Sequence, residues 1–183
     1  MTFKCGIFLL TLTALIASPV EAFAQDDVNV PKSMVPPSQL AFIREAVSFR
    51  AEQDKYTPGT RSYDENSERL DAENHAIALK YQNVIGWVCQ VVSGSRNWQW
   101  FVTCESGGHG ATPFTMKLEM PNGTTFQEKG GIYPGDIIEV NGTFDGHTGM
   151  YEMAKNSVYF WAFADHIEVP ITVTDWKTLR AAP

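Results

Sequence analysis

Two kinds of apolar spacing divide this chain. Between about residues 38 and 80 apolar side chains recur every three or four positions, whereas from about residue 84 to 170 they alternate with polar ones or gather in short β-branched and aromatic runs. The first pattern predicts helix. Leu40, Ile43 and Val47 mark an amphipathic segment from Ser38, read as its cap, to about Gln53. Leu70, Ala76, Ile77 and Ala78 mark a second over Ser67 to Lys80, with Glu68, Arg69, Asp71 and Glu73 on a solvated face. Pro58-Gly59 punctuates the interval, which reads as a loop from Tyr56 to Asn66. The second pattern predicts five strands. Val84 to Val92 and Trp98 to Glu105 form a hairpin around Ser93-Gly94-Ser95-Arg96-Asn97. In Pro113 to Met120, Phe114, Met116, Leu118 and Met120 face one way and Thr115, Lys117 and Glu119 the other. After turns at Asn122-Gly123 and Pro134-Gly135, Asp136 to Phe144 places Ile138, Val140 and Phe144 on one face around Gly142, and a last run from Val158 to Val169 stops at Pro170. The chain is therefore expected to be mainly β, a small five-stranded barrel or sandwich preceded by one or two α-helices.

The hairpin register carries the first chemistry. Centring it between Arg96 and Asn97 sets Cys89 opposite Cys104, at a separation a disulfide can bridge, against the alternative of two buried thiols. The same register gathers Ile85, Trp87, Cys89 and Val91 with Trp98, Trp100, Val102 and Cys104 on an apolar inner face. Trp161 and Phe163 join the aromatics read as core. Gln90, Val92, Gln99, Phe101 and Thr103 fall on the opposite face, so Gln90, Gln99, Phe101 and Thr103 are the candidate ligand-binding residues, with Phe101 the exposed aromatic contact.

The N-terminus supplies an address. Lys4 precedes an uncharged run from Gly6 to Ala17, and Ala22-Phe23-Ala24 before Gln25 has the small-x-small form of a signal-peptidase site, predicting cleavage between Ala24 and Gln25. The run breaks at Ser18-Pro19 and Glu21, short of the roughly 20 residues a membrane span needs. A periplasmic or secreted protein is expected, with residues 1–24 as signal, 25–37 as an extended leader holding few apolar residues to bury, 38–66 as a helical extension and loop, 67–170 as the barrel domain and 171–183 as a tail. No membrane span is expected in the mature chain. Lys4 and Glu21 leave together, so the net charge stays at −7. That charge disfavours phosphate backbones, and no Lys or Arg run offsets it.

The search for catalytic patterns returns little. His75, His109, His147 and His166 lack metal-ligand spacing, and no nucleophile elbow, metalloprotease helix or phosphate loop occurs. No catalytic residue, metal or other cofactor is assigned. Asn122-Gly123-Thr124 and Asn141-Gly142-Thr143 match the glycosylation pattern but are read as short turns.

Three segments carry a resemblance: Ala72-Glu73-Asn74-His75-Ala76-Ile77-Ala78-Leu79-Lys80-Tyr81, then Val84-Ile85-Gly86-Trp87-Val88, and Gly135-Asp136-Ile137-Ile138-Glu139-Val140-Asn141-Gly142. Over residues 70 to 169 the chain resembles the anticodon-binding-like (tRNA-anti-like) oligonucleotide/oligosaccharide-binding (OB) domains of exported bacterial proteins. The resemblance implies a five-stranded OB-like barrel and no particular ligand. The helix near residues 39–53 and the long stretch 145–156 depart from that pattern and are candidate carriers of specificity. The expected function is an exported, non-enzymatic binding or adaptor domain for a protein or saccharide-like envelope component. The alternatives are a secreted small hydrolase with a site assembled across loops and, less favoured by charge, a single-stranded nucleic-acid binder. The sequence names neither a ligand nor an oligomeric state.

Overall fold

Among the described residues two α-helices precede six strands: α1 (Pro37–Gln53), α2 (Arg61–Lys80), β1 (Asn83–Arg96), β2 (Trp100–Glu105), β3 (Phe114–Glu119), β4 (Ile137–Phe144), β5 (Trp161–Ala162) and β6 (Ile167–Arg180). The computed structural model describes residues 30–96, 99–107, 112–144, 160–163 and 165–180. The predicted cleavage site at Ala24 and Gln25, Trp98, His109, His147 and the stretch 145–156 lie outside the described residues.

β1 pairs antiparallel with β2 and β4, β2 with β3, and β4 with β6, while β3 and β6 pair in parallel. The ring β1-β2-β3-β6-β4 is thereby closed, a five-stranded OB-like barrel, and the two-residue β5 adds onto β6. Its interior follows from alternation. Phe114, Met116, Leu118 and Met120 are all buried, as are Ile138, Val140 and Phe144.

Helix α1 closes one end of the barrel. Pro36 and Pro37 supply the helix start through their restricted φ, so Ser38 lies inside the first turn and does not act as the expected cap. Phe42 is fully buried, and its ring meets those of Tyr81, Trp87, Phe114, Phe144 and Phe160 at centroid distances of 5.3–5.7 Å. Beside it the buried Gln39 amide replaces a strand: Val88 N–H donates to Gln39 Oε1 at 2.8 Å, and Gln39 Nε2 donates to Val88 O and Ser106 Oγ at 2.9 Å. Asn74 repeats the device from α2, its amide exchanging two hydrogen bonds with the Phe160 backbone. Helix α2 starts at Arg61, inside the expected loop, because Thr60 Oγ1 accepts the Tyr63 N–H and caps it.

Two bulges correct the predicted registers. On β1, Val84 faces Gly142 and Trp87 faces Val140, so β1 holds one residue more than β4 between those pairs. Gly86 takes φ +67°, both Val84 and Trp87 turn inward, and Ile85 is expelled to 72% exposure instead of joining the core. The second bulge lies at Val92. Val91, not Cys89, stands opposite Cys104, and Arg96 faces Trp100, so Ser93–Arg96, expected in the turn, are strand. Cys89 and Cys104 nevertheless stand at disulfide distance, their Cα atoms 5.6 Å apart, because the diagonal keeps both on the inner face.

Other departures have equally local causes. Asn141-Gly142-Thr143 is not a turn; it lies within β4, where a side chain on Gly142 would strike the Thr172 carbonyl oxygen. β6 does not stop at Pro170 but runs to Arg180, through residues expected as tail; among the described residues Pro170 is paired only with Lys117 of β3, which leaves its other side free of a ladder bond that proline could not make. Residues 30–35 are not merely an extended leader. They include a short 3-10 turn at Lys32–Met34, and Val30 and Val35 bury against Val88 and Ile137 outside the barrel. Trp161 is half-buried, and Phe163, expected in the core, is exposed and stacked on the His166 ring at 4.7 Å.

Candidate binding face

The outward side chains of β2, β3 and β6 form a grid whose rows follow from strand register. Phe101, Glu119 and Thr172 make one row, Thr103, Lys117 and Pro170 the next, and Glu105, Thr115 and Glu168 the third; Pro170, Thr115 and Glu168 are buried, so the accessible positions are Phe101, Glu119, Thr172, Thr103, Lys117 and Glu105, each half-buried. β1 adds Ser95 beside Phe101, Ser93 beside Thr103 and Gln90 beside Glu105. Inward neighbours such as Val102, Met116, Leu118, Val169 and Ile171 are buried, so the grid rests on a packed core and is held rigidly.

Polar contacts tie the rows together. Thr172 Oγ1 donates to Glu119 Oε2 at 3.4 Å, and Lys117 Nζ donates to Thr103 Oγ1 at 3.3 Å while standing 3.6 Å from Glu168. Glu168 is also 3.7 Å from His166 Nε2, whose Nδ1 lies 2.7 Å from Asp165. The His166 ring, followed by a backbone hydrogen bond, holds the Asp165 carboxyl below the usual carboxylate range. The grid carries three carboxylates, Glu105, Glu119 and Glu168, against one ammonium, Lys117, which lies 3.6 Å from Glu168. The face is therefore anionic, a poor match for a phosphate backbone.

Of the four residues singled out from the sequence, the structure brings Phe101 and Thr103 together on this grid, both half-buried and in adjacent rows. Gln90 lies at its border, its amide donating to Gly135 O at 3.2 Å. Gln99 lies at the rim, and its amide donates to Met120 O. Sequence reading missed Glu119, Lys117, Glu168, His166 and Thr172 as members. Alternation in β3 had already turned Lys117 and Glu119 outward; the parallel pairing that brings β6 alongside leaves no local signal.

Away from this face, an open groove of about 680 Å³ runs between α1 and α2 over Phe49, Ala76 and Ile77. Its walls are internally paired, Lys80 with Glu45 at 2.5 Å and Arg69 with Glu52 at 3.0 Å. Hydrogen bonds from Lys80, then from the Tyr81 hydroxyl, hold the Glu45 carboxyl below its ordinary range, and Glu45 in turn raises the Lys80 ammonium above its own. Among the described residues no group of three His, Cys, Asp or Glu side chains is arranged to hold a metal ion. No helix among them is long and apolar enough to cross a membrane. No protein-family model matches the chain, and no curated protein matches it either.

Proposed function

We propose that this chain is an exported, non-enzymatic binding module that takes a saccharide-like envelope component on the outer face of β2, β3 and β6. The observation that carries the reading is the row Phe101-Glu119-Thr172. A sugar ring has an apolar face suited to stacking on a phenyl ring and an equatorial rim of hydroxyls that donate to carboxylates and exchange hydrogen bonds with threonine. This row offers all three groups at strand spacing, and Thr103 and Ser95 extend the hydroxyl rim.

Export is supported by the signal-like N-terminus together with the Cys89–Cys104 pair at disulfide distance, which suits an oxidising compartment. The ring order with one parallel closure is the one expected of an OB-like barrel, a fold that commonly serves as a binding module. The three carboxylates against the one ammonium of Lys117 argue against a single-stranded nucleic acid on this face.

The test is calorimetric titration of the purified chain with soluble fragments of envelope polysaccharide, alongside Phe101→Ala and Glu119→Gln. Each substitution should weaken binding by about tenfold or more, about 1.4 kcal/mol, while the urea midpoint moves little. Unchanged affinity in both variants would remove the ligand from this face. Turnover of a small substrate with no saccharide binding would favour a hydrolase instead.

A further inference from the structure

Among the described residues, the C-terminal half of β6 leaves the barrel with one edge open. Beyond Thr172 it has parted from β3 and pairs only with β4, and between Thr174 and Leu179 no other strand or loop backbone bonds to it among the described residues. The direction of its hydrogen-bonding groups follows from Gln39. Val88 gives its N–H and C=O to that side chain, away from β4, so its antiparallel partner Glu139 turns its own toward β6 and exchanges them with Lys177. Alternation then turns the N–H and C=O of Trp176 and Thr178 to the open edge.

Exposed edges in monomeric proteins commonly carry charges that repel an incoming strand. Asp175 and Lys177 are such charges, both exposed and on one face, with Lys177 Nζ 2.9 Å from Glu139 of β4. Their order makes them self-complementary. If two copies of β6 run antiparallel about a two-fold axis at Trp176, Asp175 of each copy stands opposite Lys177 of the other, Thr174 opposite Thr178, and the two Trp176 residues face one another through outward-directed backbone groups. Moving the axis to Lys177 would oppose lysine with lysine, and moving it to Thr178 would leave Asp175 without its counter-charge. One register is therefore selected, and it closes on itself with no edge left to propagate.

We propose that this edge is a homodimer interface: two copies of the chain join by antiparallel pairing of their β6 strands, registered on Trp176. The occupant is a second copy and not an unrelated strand because Asp175 and Lys177, two residues apart, are complementary to their own two-fold image. The ladder is short, so the dimer is concentration-dependent and sensitive to salt.

Sedimentation velocity of the purified chain, disulfide formed, over a wide concentration range at low salt tests this. The wild type should shift from monomer to dimer, and Asp175→Lys and Lys177→Asp should each weaken association at least about tenfold by opposing like charges. An equimolar mixture of those two variants should regain the dimer, because every Lys then meets an Asp across the axis. Thr178→Pro, which removes one outward N–H and no bond to β4, should also weaken it while the circular dichroism spectrum stays that of the wild type. A wild type that remains monomeric throughout, a dimer indifferent to all three substitutions, or a mixture that stays monomeric would each overturn the proposal.

Discussion

At the scale of single residues, the barrel depends on side chains whose importance lies in what they touch. Gln39 is the sharpest case: its amide satisfies both backbone groups of Val88 at the point where β2 has ended, and all three hydrogen bonds are buried. Replacing Gln39 with Leu keeps the volume roughly constant but leaves a buried N–H and C=O unpaired. Each such group costs about 1–3 kcal/mol, so urea denaturation should report a loss of roughly 2–6 kcal/mol. A loss below about 1 kcal/mol would mean that water reaches Val88. Apolar spacing picks out Ile43 and Val47 on α1 but passes over Gln39, because a polar residue on a helix reads as solvent-facing until a strand is packed against it. Phe42 escaped notice for a related reason. Its five aromatic neighbours come from α2's end, β1, β3, β4 and the segment before β5, and none is near it in sequence.

Among the elements, β1 is the one whose details sequence reading misjudged most. Strict alternation put Ile85 inside; the bulge at Gly86 reverses that by turning two non-alternating residues, Val84 and Trp87, into the core. The paired cysteines survive the register change because a two-residue diagonal preserves the face. Replacing both Cys89 and Cys104 with Ala should lower stability by about 3 kcal/mol on the loop-entropy account for a 15-residue separation. Equilibrium unfolding of the oxidised wild type against the double variant measures it. If the bond is confined to the scaffold, saccharide affinity at saturating folded protein is unchanged; a parallel drop in affinity would tie the bridge to the binding face.

For the whole molecule, the question is what joins the helical layer to the barrel. The Phe42 cluster, Gln39 and Asn74 do so from within, and the Glu45–Lys80–Tyr81 group clamps α1 to the end of α2 at the surface. Glu45 has a depressed folded-state pKa, so its contribution is complete above the ordinary carboxylate range and is lost as pH falls through and below it. Lys80 is raised, so its share is complete below the ordinary lysine value and is lost as pH rises past it. Glu45→Gln should therefore lower the thermal midpoint at neutral pH, by a margin that narrows at about pH 3, below the ordinary carboxylate range. An equal difference at both pH values would assign the effect to packing. High salt should shrink the neutral-pH difference, since the pair is partly exposed.

What the sequence determined alone was the local periodicity: two helices, the alternation of β3 and β4, the inward cysteines, and Phe101 and Thr103 on the far face. Those features are written in neighbours two to four residues apart, where side-chain direction follows from backbone geometry. What only the tertiary structure decided was everything set by distant partners. The parallel closure of β3 on β6 brings Glu119 to Thr172, the continuation of β6 past Pro170 creates an open edge, and the strand-mimicking amides of Gln39 and Asn74 meet backbone 49 and 86 residues away. Hydrogen bonding and packing across such separations depend on which surfaces meet after the chain has closed, and no local pattern encodes that meeting.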